Sequence, residues 1–93
     1  MYHLVYTKTF SKGLKKIHSS VGGKKIIAEV RSFLNILSKG NKIEERYKDH
    51  QLNGDLKNYR ECHIRGDVLL VYKKEEDNLI IHLIEIGSHS YLF

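Results

Sequence analysis

Long hydrophobic runs, internal repeats and paired cysteines are all missing from this 93-residue sequence. No apolar stretch approaches the ~20 residues that a membrane-spanning helix needs. The opening MYHLVYTKTF has no continuous apolar core of the kind a secretion signal carries, so a soluble cytoplasmic protein is expected. Cys62 stands alone and cannot close an internal disulfide, which suits a reducing compartment. No low-complexity linker interrupts the chain, and its length fits one domain over residues 1–93. What is present suffices for a packed globule: 41% hydrophobic residues, with six Tyr and three Phe, exclude general disorder.

The net charge of +5 is unevenly spread. Residues 1–48 carry eleven Lys/Arg against three Glu, whereas residues 49–93 carry five Lys/Arg against eight Asp/Glu. A basic half favours a polyanionic partner, nucleic acid before membrane; a lysine-rich solvated helix face is the bland alternative.

HLVYT at 3–7 alternates and is rich in β-formers, so it predicts an N-terminal strand. From Thr9 the spacing turns helical, with Phe10, Leu14 and Ile17 on one face, until the SSVGG cluster at 19–23. A second helix is predicted over 22–38, striped by Ile26, Ile27, Val30, Phe33, Leu34 and Leu37 and stopped at Gly40 and Asn41. Residues 42–58 read as a polar, structured loop. YRECHI at 59–64, VLLVYK at 68–73 and LIIHLIEI at 79–86 then predict an antiparallel meander with turns at 65–67 and 75–78. The order βααβββ makes an α+β domain with an αα-hairpin on one face of a small sheet.

Three histidines stand near that sheet: His50 in the loop, His63 at a strand end and His89 in the tail. His63 and Asp67 flank one tight turn, and a chain turning at Gly87 could bring His89 and Phe93 to the same edge. Imidazoles titrate near neutrality and can both take and give a proton. Metal-free RNA cleavage needs one group to deprotonate the 2′-hydroxyl, another to protonate the leaving 5′-oxygen, and a cation for the phosphorane. The three histidines and Asp67 meet the first two needs, and Lys48, Lys57, Arg60 and Arg65 are candidates for the third. A zinc site on His50, His63 and His89 is disfavoured, because their spacings match no compact ligand motif and no second cysteine assists. No metal or cofactor is therefore expected. His3, His18 and His82 read as ordinary surface or core residues, and Tyr59 equally as a base-stacking ring or a filler of the core edge.

YKDHQLNGDLKNYRECHIRGDVLLVYK, followed by GSHSYLF, resembles the YafQ branch of the RelE-type toxins of bacterial toxin–antitoxin systems. The resemblance is close over 47–93, while the helical half is similar in pattern and charge. It implies a small sheet against two helices, and an enzyme that cleaves messenger RNA in the ribosomal decoding centre without a metal. It also implies a cognate antitoxin as partner. Carried over by position, His50, His63, Asp67 and His89 become the acid–base set, with His50 the candidate base and His89 the candidate acid, roles that could be exchanged. Phe93 becomes a base-stacking or orienting ring. The chain departs at Glu85, where relatives commonly carry an arginine that can meet the scissile phosphate. Gly66 stands in place of a frequent proline, and Val68 in place of a tryptophan. A rival reading is a non-catalytic module like the ParE-type gyrase inhibitors, which lack this histidine set. A basic DNA-binding accessory protein would explain the charged half but not the tail.

Overall fold

The computed structural model describes residues 1–56 and 58–88. The chain runs through β1 (His3–Tyr6), α1 (Lys8–His18), α2 (Gly23–Lys39), β2 (His50–Gln51), β3 (Tyr59–Arg65), β4 (Val68–Glu75) and β5 (Ile80–Ser88). Short 3₁₀ turns at Glu45–Tyr47 and Gly54–Leu56 bracket β2. The fold class is α+β, as the sequence predicts, and β3, β4 and β5 form the expected antiparallel meander. Two strands extend it to five, in the order β1-β5-β4-β3-β2: β1 pairs parallel with β5, and the two-residue β2 pairs antiparallel with β3.

Thr7 joins the strand to the helix. Its Oγ1 accepts from the Phe10 N–H at 3.2 Å, capping α1, and its hydroxyl donates to the Leu83 carbonyl at 2.7 Å. The end of β1 is thus tied to β5 at the point where α1 starts. Val30, Phe33, Leu34 and Leu37 of α2 are buried with Phe10 of α1 against Cys62, Leu70, Tyr72, Ile81, Leu83 and Ile86 of the sheet. Each such side chain contributes about 1.5–3 kcal/mol by leaving water. Burial also pushes the Cys62 thiol far above its ordinary range, so it is a core residue and no nucleophile. At the end of α2 Gly40 turns left-handed (φ 70°), and the N–H groups of Gly40 and Asn41 return to Leu37 and Ile36.

The α1–β5 contact depends on a missing side chain. A Cβ at Gly13 would lie 2.3 Å from the Ile86 carbonyl oxygen and 2.9 Å from Ile86 Cγ2. Backbone cannot yield as a flexible side chain can, so α1 would have to lift from the sheet. Gly13→Ala gains up to about 1 kcal/mol of helix propensity, against about 1–3 kcal/mol of overpacking. A net loss near 1 kcal/mol, read as a fall of about 4–8 °C in Tm, is the expected outcome in a thermal melt. A rise in Tm would mean that α1 can slide.

Candidate active site

The helices cover one face of the sheet, and the candidate chemistry lies on the other. Cross-strand partners share a face, so the registers His50↔Glu61↔Val71↔Glu85 and His63↔Leu69↔Gly87 define two rows there. The ring of His50 is positioned by its own loop. Tyr47 is buried, its ring 4.9 Å from that of Phe33, and Lys48 turns left-handed at φ 50°. The Lys48 carbonyl then lies 2.7 Å from His50 Nδ1. A carbonyl can only accept, so Nδ1 carries a proton and donates it; Nε2 is the nitrogen left for exchange.

His50 Nε2 stands 3.4 Å from Glu61 Oε1, and the His50 and His63 rings are 6.4 Å apart between centroids. Glu61 is 7% exposed, and its Oε2 is buried without a hydrogen-bond partner among the described residues. Leaving a buried carboxylate oxygen without a donor costs about 1–3 kcal/mol or more. An apolar β-former in that place would be the more stable choice. Glu61 is the residue that sequence reasoning missed. Strand alternation was the available signal, because Glu61 sits two positions before His63 and must share its face.

Other candidates take different places. Arg60 points to the helix side, where its Nε and Nη2 donate to Asp49 Oδ2 at 3.0 and 2.9 Å. That hydrogen bond raises the Arg60 pKa further, with burial opposing. The Tyr72 hydroxyl donates to the other oxygen, Asp49 Oδ1, at 2.7 Å; burial, then this bond, push the phenol far above its ordinary range. Arg60 is thus committed to Asp49 rather than presented to the histidine face. Arg65 pairs with Glu29 of α2 at 3.1 Å, and Lys48 is exposed. Asp67 stands exposed at the β3–β4 turn and borders a cleft of about 1110 Å³ between α1 and the end of β5. Lys12, Lys15, Glu85 and Ser88 line the same cleft. Lys57, His89 and Phe93 lie outside the described residues. Of the predicted acid–base set, the described residues bring His50 and His63 together and add Glu61.

His82 is elsewhere. Its Nε2 lies 3.0 Å from Glu75 Oε2 across the β4–β5 hairpin, and Asn78 donates to Glu75 Oε1 at 2.8 Å. The His82 bond, followed by that of Asn78, holds the Glu75 carboxyl below its usual range. His82 therefore closes a hairpin. Among the described residues, no three His, Cys, Asp or Glu side chains converge on a metal position.

Residues 2–93 match the family described as the bacterial toxin of type II toxin–antitoxin system, YafQ. The Haemophilus influenzae protein named YafQ is 35% identical over 95 residues, spanning 94% of this chain and 89% of that one. The mRNA interferase toxin YafQ of Escherichia coli K12 is 38% identical over 47 residues, half of this chain and 49% of its own. Among solved structures, a metal-bound toxin from Helicobacter pylori superposes with a TM-score of 0.85 at 34% identity, all of both chains being covered. The Escherichia coli DinJ–YafQ toxin–antitoxin complex gives 0.78 at 25% identity, over 99% of this chain and 97% of that one.

Proposed function

The chain belongs to the YafQ family of bacterial type II toxins, and from that membership we propose that it is a messenger-RNA endoribonuclease acting on the ribosome by acid–base chemistry. The observation that carries this reading is the grouping of His50, Glu61 and His63 on the face of the sheet left open by the helices. The mRNA interferase activity named for the Escherichia coli relative supports it.

The reaction needs no group that these residue types cannot supply. One imidazole takes the 2′-hydroxyl proton, and the 2′-oxygen attacks phosphorus. The bond to the 5′-oxygen breaks, and a second group protonates that oxygen, leaving a 2′,3′-cyclic phosphate and a 5′-hydroxyl. His50 is the candidate base through Nε2, a reading supported by the bond that engages its Nδ1 with the Lys48 carbonyl. The Glu61 carboxylate steadies the positive charge that His50 gains when it takes the proton. His89 is the candidate acid, with His63 and Asp67 sharing or orienting proton transfer and Phe93 against a base. Lys48, Lys57 and Arg65 are candidates to steady the phosphate; Arg60 serves Asp49. A cognate antitoxin as resting partner follows the Escherichia coli toxin–antitoxin complex and the basic helical half.

Inducible expression with mapping of messenger-RNA ends tests the reading. Growth arrest with in-frame cuts in coding regions, ending in 2′,3′-cyclic phosphate and unaffected by EDTA, is the expected result. Cleavage that EDTA abolishes and a divalent metal restores would replace acid–base chemistry with a metal centre. Intact messages with inhibited gyrase would instead establish the ParE-like alternative.

A further inference from the structure

β2 is two residues long and lies at the sheet edge, so its own backbone bonds are a weak support for a reacting group. Lys48, just before it, holds a left-handed conformation that non-glycine residues adopt only when their surroundings impose it. Something must impose it. Alternation along β2 and β3 puts His50 and Glu61 on the open face and Asp49 and Arg60 on the helix side. The Asp49 side chain is 15% exposed and gathers three bonds: two from Arg60 and one from Tyr72. Tyr72 is 1% exposed in β4 and packed within the core. A continuous path thus runs from the core through the Tyr72 hydroxyl and Asp49 to the backbone of 48–50.

We infer that Asp49, Arg60 and Tyr72 form a clamp whose task is to position His50, setting where Nε2 points on the far side of the strand. The clamp residues touch neither substrate nor reacting atoms; they act through the backbone. Among the described residues, the His50 ring is met by the Lys48 carbonyl at Nδ1 and, at the longer distance of 3.4 Å, by Glu61 at Nε2. It is half-exposed, and Nδ1 is bonded to a carbonyl of the same loop, so the ring goes where the loop goes. Freeing one end of the clamp lets the loop sample other conformations without emptying any core volume. The inference rests on the proposed role of His50 as a proton-transfer group.

Tyr72→Phe keeps the core ring and removes one donor; Asp49→Asn keeps the volume and removes the charge. Cleavage by each variant is measured on programmed ribosomes, alone and in a His50→Ala background, with kcat and KM separated. Imidazole NMR signals of His50 are followed in the same variants. The expected result is a fall in kcat of about 10–100-fold with KM within about twofold, because small misplacements of a reacting group carry losses of that order. The Nδ1 proton signal of His50 should broaden. In the His50→Ala background the same substitutions should cost nothing further. Equal losses in both backgrounds would overturn the clamp in favour of a general structural role. So would an inactive His50→Ala beside fully active Tyr72→Phe and Asp49→Asn. Full activity of His50→Ala would instead remove the acid–base reading beneath it, with the NMR signals still reporting whether the ring is held.

Discussion

His50→Ala is expected to lower messenger-RNA cleavage by about 10²–10⁴-fold, the ordinary cost of losing a general acid or base. The domain should survive the change. Half of the imidazole is already in solvent, and its Nδ1 bond to Lys48 closes only a local loop, so about 0.5–1.5 kcal/mol is at stake. Chemistry is affected more than folding, because Nε2 is the one ring nitrogen free of backbone commitments. Removing it also takes away the imidazole that stands 3.4 Å from Glu61 Oε1. His63→Ala should show a comparable loss, and the double variant should be little worse than either single one, as groups in one proton-transfer unit do not add. Single-turnover cleavage on ribosomes measures this, with circular dichroism as the check on folding. Full-rate cleavage by His50→Ala would falsify the assignment.

The two helices and the three-stranded meander were legible because their signals are local. Ile26, Val30, Phe33, Leu34 and Leu37 repeat at helical spacing, and α2 lies within a residue of its predicted bounds at Gly23–Lys39. The pairing of β1 was not legible. Its partner β5 lies more than seventy residues away, and a parallel register such as Leu4↔Ile81 leaves no mark in either segment alone. β2 was hidden for another reason. His-Gln has no strand propensity worth reading, and the pairing is imposed from outside by β3 and by Asp49.

Of the candidate site, the nearness of His50 and His63 was legible in the sequence, and the place of Glu61 beside them was not. Arg60 looked available for phosphate because sequence shows a charge without showing its partner, which stands eleven residues earlier at Asp49. Glu61 looked like a routine polar letter within YRECHI, yet it is the buried acid beside His50. Glu85 faces the same way, one strand beyond Val71. Two carboxylates would disfavour an approaching phosphate, and Lys12 and Lys15, which line one cleft with Glu85, would offset that charge.

Those cations give the second large effect. Reversing Lys12, Lys15, Lys24 and Lys25 to Glu is expected to weaken ribosome association about 10²–10³-fold near physiological salt. Each lost phosphate contact removes about 0.9 from the slope of log affinity against log salt, so the slope should fall by about 3–4. The helices separate structural from functional charge. Lys15 lies in the last turn of α1, where a cation suits the helix dipole, so its presence has a structural explanation. Lys24 and Lys25 lie in the first turn of α2, which has no acidic residue and no side-chain cap. There a cation is unfavourable by about 0.3–1 kcal/mol, and stability alone would select Asp or Glu. Lysines kept where the helix disfavours them point to a partner that needs them. Lys24→Glu with Lys25→Glu should therefore raise Tm by a few degrees while weakening co-sedimentation with ribosomes and flattening its salt dependence. A variant that melts lower would put the two lysines to work inside the fold. One that melts higher but co-sediments as the parent does would return the basic half to a solvated face.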